Sequence, residues 1–148
     1  MAIDLHLHST ASDGTYSPEQ IIERAHELGF TTISLTDHDT IAGIKQAIIK
    51  GKQLGVEVIP GLELNTDYNG QEIHVLGYYF DLTNPGLLTC LDNLKRAREY
   101  RVEGIVKKLR SIGIDISLPE VYEESGGGCI GRPHIARILL RKGYISYH

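Results

Sequence analysis

The stretch AIDLHLH, residues 2–8, alternates strictly between apolar and polar side chains. In an extended chain, Ile3, Leu5 and Leu7 would share one face and the polar side chains would share the other. A period of two residues is the pattern of a β-strand. The stretch therefore predicts a first strand with one face turned to a core.

A helix is predicted after this strand. Ser17 suits the N-cap, Pro18 suits the first helical position, and Gln20 completes a capping box. Gly29 marks the end of the helix. The side chains expected to face the core recur at helical spacing, namely Ile21, Ala25 and Leu28.

Strand and helix patterns then alternate once more. Residues 30–35 and 56–59 are β-rich and predict the second and third strands. Between them, Asp39 or Thr40 is expected to cap a second helix, which ends at Gly55. Its inward side chains are expected to be Ile41, Ile44 and Ile48. The βαβαβ order favours an α/β fold with parallel strands and outer helices.

A hairpin and a helical segment complete the predicted fold. Residues 62–66 and 72–80 are expected to pair through an Asn69-Gly70 turn. From Asn84 onwards the apolar spacing is helical, which predicts a long helix as far as Ile112 and divides the chain into residues 1–83 and 84–148. A short helix is expected after Pro119, and a last one over residues 133–142. The long helix is expected to expose a basic face of Lys95, Arg96, Arg98 and Arg101.

The composition narrows the class of partner. The chain has 148 residues, a net charge of −4 and no long basic run, so duplex nucleic acid is not expected as a direct partner. Cys90 and Cys129 have no CxxC spacing, which indicates a reducing compartment. We see no signal-peptide pattern and no stretch of roughly 18 apolar residues, and so expect a cytoplasmic protein without a membrane partner.

Side chains that can bind metal ions follow the ends of the predicted strands. His6 and His8 leave the same face of the first strand, although this pair alone also fits two partly exposed histidines without a role. Parallel strands would bring further candidates to the same edge. These are Asp13, Asp37, His38, Asp39, Glu63 and His74. His and carboxylate ligands suit Zn²⁺, Mn²⁺ or Fe²⁺ rather than Ca²⁺, and several carboxylates indicate more than one ion.

Five motifs carry a family resemblance: IDLHLHS at residues 3–9, SDG at 12–14, LTDHD at 35–39, PGLE at 60–63 and HVLGY at 74–78. In order and spacing they resemble the polymerase and histidinol phosphatase (PHP) family of metal-dependent phosphoesterases. The closest resemblance is to a bacterial branch that includes 3′,5′-nucleoside bisphosphate phosphatases and a 5′-to-3′ exoribonuclease. It implies the N-terminal portion of a distorted (β/α)7 barrel in residues 1–83, followed by an incomplete helical insertion.

The resemblance also implies two or three divalent ions of Mn, Fe or Zn. In this family His6 and His8 would bind one ion, and Glu63 would bridge it to a second. His74 would bind that second ion, while a third would lie between the two remaining ligands, Asp13 and His38. A metal-activated water would attack phosphorus, without a nucleophilic side chain.

The motif GRPH at residues 131–134 resembles a phosphate-binding segment of the family's helical insertion. It implies that Arg132 and His134 contact substrate phosphate. Ser9, beside the pair of histidines in the first motif, is a further candidate donor to phosphate. The residues alone also fit a surface charge at Arg132, a first-turn helix residue at His134 and a turn cap at Ser9. In the same way, Asp37 and Asp39 either orient His38 or, in the case of Asp39, cap a helix.

The expected function is hydrolysis of a nucleotide 3′,5′-bisphosphate or of the 5′ end of a short RNA. The alternatives are a histidinol-phosphate-type phosphatase and a non-catalytic structural or interaction module. Family members supply a further His and an Asp-x-His pair after the insertion, whereas only His148 follows His134 here. We therefore expect the chain to end inside the insertion, with an unpaired sheet edge that favours self-association.

Overall fold

The computed structural model describes residues 2–146. His148, which is the last His of the sequence, lies outside them. Within the described part the chain forms β1 (Ala2–Leu7), α1 (Pro18–Glu27), β2 (Phe30–Leu35), α2 (Ile44–Leu54), β3 (Glu57–Tyr68), β4 (Gln71–Tyr78), α3 (Pro85–Ser111), α4 (Leu118–Glu124) and α5 (Arg132–Arg141). The expected α/β class is confirmed.

The four strands form one sheet in the order β1-β2-β3-β4. β1 pairs with β2, and β2 with β3, in parallel, whereas β3 and β4 are antiparallel. The carboxyl ends of the first three strands therefore lie at the same edge. The sheet curls far enough for the Tyr78 hydroxyl at the end of β4 to donate a hydrogen bond of 2.8 Å to the Leu5 carbonyl in β1.

The alternation in β1 does not produce the expected apolar face. The ladder with β2 is irregular between Asp4 and Leu7, which allows Leu7 to pack against the core. Ile3 and Leu5 stay 53% and 38% exposed. The prediction that all three apolar side chains share one face is therefore wrong, because a bulge reverses the side on which Leu7 lies.

Helix α1 begins as predicted. Ser17 and Gln20 form the capping box, and Ile21, Ile22 and Ala25 are buried in a core cluster with β2 and α2. Leu28 is 60% exposed, so its expected burial is wrong. It is the C-cap, where the chain has already left the helical path that would turn its side chain inward.

Helix α2 begins later than predicted, with Gly43 as its N-cap. Neither of the expected capping residues caps it, and Ile41 precedes the helix. Ile44 is buried as expected, whereas Ile48 is only half-buried. The Asp39 carboxylate cannot cap the helix because it binds Arg98 and the Asn65 N–H.

The third strand does not stop at Pro60-Gly61. Pro60 is the last residue of β3 that pairs with β2, and Gly61 is the first that pairs with β4. A Cβ at Gly61 would lie 2.7 Å from the Leu35 carbonyl oxygen, so glycine allows this close approach. The Asn69-Gly70 turn is confirmed, and both residues have positive φ angles of 54° and 78°.

The helical segment has its own core. The long helix α3 begins where predicted, with Asn84 as its N-cap, and α4 begins one residue before Pro119. Seven buried side chains from α3, α4, α5 and the loops between them pack together: Val102, Val106, Ile116, Val121, Ile130, Ile135 and Ile138. No helix within residues 2–146 is both long and apolar enough to cross a membrane.

Replacement of Ile22 tests the core between the sheet and its helices. Ile22 is 0% exposed, whereas Ile49 on α2 is 50% exposed. We expect Ile22→Ala to lower the free energy of unfolding by about 2–5 kcal/mol, because it removes packed methyl groups and leaves a cavity. Ile49→Ala should cost about 0.5 kcal/mol or less. Denaturant titration measures both, and equal losses would contradict this packing.

Candidate metal centre

Six of the predicted side chains converge at the edge where β1 and β2 end and where β3 passes from β2 to β4. Each comes from a strand or from the loop after one, so the parallel pairing brings them together. They are His6 in β1, His8 and Asp13 after it, His38 after β2, Glu63 in β3 and His74 in β4.

Glu63 lies at the centre of this group and is 4% exposed. Its Oε2 atom is 2.7 Å from His6 Nε2 and 3.0 Å from His8 Nε2. Its Oε1 atom is 2.5 Å from His74 Nδ1. The two carboxylate oxygens thus face different histidines, an arrangement that suits a carboxylate shared by two cations.

Asp13 and His38 extend the cluster on the side of His8. The Asp13 carboxylate is 3.7 Å from His8 Nδ1 and 3.7 Å from His38 Nε2. The His8 and His38 ring centroids are 4.6 Å apart. These distances exceed hydrogen-bond length and leave room for a cation between the three groups.

Among residues 2–146, three overlapping groups have potential ligand atoms within 4.8 Å of one another. They are His6 with His8 and Glu63, His8 with Asp13 and His38, and His38 with Glu63 and His74. The Nδ1 atoms of His8 and His38 are buried without a hydrogen-bond partner. Buried polar atoms normally have a partner, and a metal ion would supply one. The donor set therefore fits Zn²⁺, Mn²⁺ or Fe²⁺.

The electrostatics favour the protonation states that bind metal. Burial lowers the pKa of His38 below its usual value. Burial raises the pKa of Glu63, but the hydrogen bonds from His6 and His74 outweigh it, so the net shift is downward. A neutral imidazole and an ionised carboxylate are the forms in which these side chains coordinate a cation.

Asp37 supports the loop after β1 instead of orienting His38. Its carboxylate accepts hydrogen bonds of 2.6 Å from the Ser9 N–H, from the Ser9 hydroxyl and from the Ser12 hydroxyl. Ser9 is fully buried, and its oxygen also accepts a hydrogen bond from the Ala11 N–H. In this arrangement Ser9 holds the loop that carries Asp13, and its contact with phosphate stays a prediction.

Arg98 and Asp39 form an ion pair that the sequence pattern did not predict. Arg98 Nε lies 2.5 Å from Asp39 Oδ2, and the two side chains are 10% and 1% exposed. The prediction that Arg98 belongs to an exposed basic face is wrong. Its spacing from the buried Leu91 and Val102, seven and four residues away, places it on the inward stripe of α3 and could have shown this.

The GRPH segment lies at the start of α5. Arg132 Nη2 is 2.5 and 2.6 Å from the two carboxylate oxygens of Glu72. This contact, together with a hydrogen bond from the Asn65 side chain, lowers the pKa of Glu72 to about 2. Glu72 is also 3.6 Å from His74 Nε2, so it connects Arg132 to the cluster. His134 is buried, and its Nδ1 accepts a hydrogen bond of 3.0 Å from the Gly131 N–H. Phosphate binding by Arg132 and His134 stays a prediction.

Fold and side-chain cluster together define an α/β protein with a candidate metal centre. A model of the PHP domain matches residues 4–109, and the chain belongs to that family.

Two curated relatives and one solved structure show the range of similar proteins. The chain is 42% identical over 146 residues to a 5′-3′ exoribonuclease of Haemophilus influenzae, covering 97% of this chain and 52% of the relative. It is 28% identical to a 3′,5′-nucleoside bisphosphate phosphatase of Chromobacterium violaceum, covering 97% and 51%. A structure from Bifidobacterium adolescentis, assigned as a metal-dependent phosphoesterase, has a TM-score of 0.89 at 31% identity, covering 97% and 51%. The chain thus spans about half the length of the curated relatives that it matches.

Metal content tests the cluster directly. We expect protein purified without chelator to contain Mn, Fe or Zn, and His8→Ala to lose most of it, because His8 belongs to two of the three ligand groups. His26 lies exposed on α1 and belongs to none of the three ligand groups, so His26→Ala should retain the metal. Elemental analysis measures all three proteins. Equal metal content in the two variants would contradict the assignment.

Proposed function

We propose that this chain supplies the metal-binding part of a phosphoesterase that acts on nucleotides. The substrate proposed is a nucleoside 3′,5′-bisphosphate or the 5′ end of a short RNA. The observation that carries the proposal is the buried Glu63 carboxylate, which is shared by histidines of β1 and β4. The names of the two relatives, an exoribonuclease and a bisphosphate phosphatase, support this substrate class.

The side chains would hold two or three divalent ions of Mn, Fe or Zn. When bound, such ions neutralise phosphoryl oxygens and lower the pKa of a water molecule. Glu63 would contribute one oxygen toward His6 and His8 and the other toward His74. The remaining ligands, Asp13 and His38, would complete a further position beside His8, at the two distances of 3.7 Å.

The helical segment would provide the contacts to substrate phosphate. Arg132 begins α5, and its guanidinium suits bidentate phosphate binding. The Glu72 carboxylate holds that guanidinium beside the cluster. His134 would stiffen this helix start by accepting the hydrogen bond from the Gly131 N–H. Ser9 would fix the loop after β1.

Phosphate release from a nucleoside 3′,5′-bisphosphate tests the proposed activity. Glu63→Gln removes the central charge at nearly the same volume, so we expect kcat/KM to fall by about 100-fold or more. Glu27→Gln is the matched control, since Glu27 is 63% exposed on α1, and it should leave the activity unchanged. An equal rate in the Glu63→Gln variant would contradict the mechanism.

The same assay separates the alternative functions. A 5′-phosphorylated oligoribonucleotide and histidinol phosphate are added as competing substrates, and faster turnover of histidinol phosphate would favour the small-molecule phosphatase. Metal binding without any phosphate release would favour a non-catalytic module. Because Cys90 and Cys129 are both free thiols, we also propose a reducing compartment, namely the cytoplasm.

The outer edge of β1 leads us to propose self-association. Ile3 and Leu5 are exposed on this edge strand, and such strands readily pair with another chain. We expect sedimentation velocity to show dimers or larger species as the concentration rises. Ile3→Lys should shift the distribution toward monomer, whereas Ile49→Lys, at a helix site of similar exposure, should not. A single sharp monomer peak at high concentration would contradict self-association.

A further inference from the structure

The contact between Arg98 and Asp39 joins the helical segment to the loop that carries a metal ligand. Arg98 lies in the middle of α3, and Asp39 directly follows His38. Both side chains are almost completely buried. A buried ion pair costs considerable desolvation, so its presence at this junction calls for a reason other than general stability.

Asp39 is held from three directions. Its backbone has a positive φ of 52°, and its N–H donates a hydrogen bond of 2.9 Å to the Glu63 carbonyl. Its Oδ1 atom accepts a hydrogen bond of 2.9 Å from the Asn65 N–H, which leaves Oδ2 for Arg98. Asp39 therefore contacts β3 at Glu63 itself and at Asn65, two residues further along, and is adjacent in sequence to His38.

We propose that Arg98 is a positioning residue for the metal centre. Its ion pair with Asp39 holds α3 against the loop after β2 and so sets the positions of His38 and Glu63. The inference rests on the proposed metal-dependent function and extends it to a residue outside the ligand set.

Two further contacts attach the helical segment to the neighbouring loop, but neither reaches His38. The Cys129 N–H donates to the Ala11 carbonyl at 2.8 Å, and Arg137 Nη1 donates to the Asp13 carbonyl at 3.1 Å. The loop after β1 is thus fastened independently. Loss of Arg98 would detach α3 from the loop after β2 while the other attachment stays in place.

Four variants separate positioning from folding. Arg98→Met leaves Asp39 buried without its partner, and Arg98→Lys keeps the charge on a different head group. The double variant Arg98→Met with Asp39→Asn removes both charges at similar volume and keeps a residue that tolerates a positive φ. Arg96→Met is the control, because Arg96 lies on the same helix but is 73% exposed and pairs with Asp92 on the surface.

The first readout is Mn²⁺ affinity by titration calorimetry, together with the thermal unfolding midpoint of the metal-free proteins. We expect Arg98→Met and the double variant to bind Mn²⁺ about 10- to 100-fold more weakly, as is typical when a group that supports metal ligands is lost. Arg98→Lys should recover part of the affinity. The double variant should unfold near the parent's midpoint, since no unpaired buried charge remains.

The second readout needs no metal. Cys129 lies at the junction, and burial raises the pKa of its thiol to about 11. In a Cys90→Ser background we expect a disulfide reagent to modify Cys129 faster in Arg98→Met than in the parent. Loss of the Arg98 charge by itself would raise the pKa of the Cys129 thiol and slow the reaction, so acceleration reports separation of α3 from the loop.

The outcomes distinguish the inference from the function on which it rests. Weaker Mn²⁺ binding in the double variant with an unchanged unfolding midpoint and faster Cys129 modification supports positioning. Parent-like affinity and parent-like modification rates in both Arg98→Met proteins would overturn the inference and leave the metal centre intact. Absence of Mn²⁺ binding by both the parent and Arg96→Met would overturn the proposed function and the inference with it.

Discussion

The arrangement of this protein depends on a single buried carboxylate. Glu63 is 4% exposed and is surrounded by imidazole groups that come from three different strands or strand ends. A carboxylate in such surroundings stays ionised only if donors or cations compensate its charge. The histidines supply hydrogen bonds, and the spacing of their remaining nitrogen atoms suits cations. The strands that meet at this edge are therefore held to one another by these side-chain contacts as well as by the backbone hydrogen bonds of the sheet.

The helical segment completes the surroundings of that carboxylate. Arg98 reaches the residue after His38, Arg137 reaches the backbone of Asp13, and Arg132 reaches Glu72 beside His74. Each arginine thus contacts a residue in or next to the ligand set. The segment has a hydrophobic core of its own. It can therefore support the loops that carry the candidate metal ligands without contributing to the core beneath the sheet.

Local signals account for the parts of the fold that could be predicted. The capping box at Ser17 and the Asn69-Gly70 turn depend on contacts within four residues, and both are found where they were expected. The errors at Ile3, Leu28 and the start of α2 have a different origin. Each depends on a bulge, on a helix end or on a partner remote in sequence. None of these features produces a periodic pattern of apolar residues.

The sequence by itself indicated which chemistry this protein can carry, because the types and spacing of its histidines and carboxylates bring eight candidate ligands to one edge of the predicted sheet. It also determined the α/β order, since apolar periodicity is a local property of the chain. Only the tertiary structure decided how the ligands share Glu63 and that Arg98 is buried against Asp39. The contact between His6 and Glu63 spans 57 positions of the sequence, and the contact between Asp39 and Arg98 spans 59. Pairing over such separations is set by the packing of strands and helices as a whole.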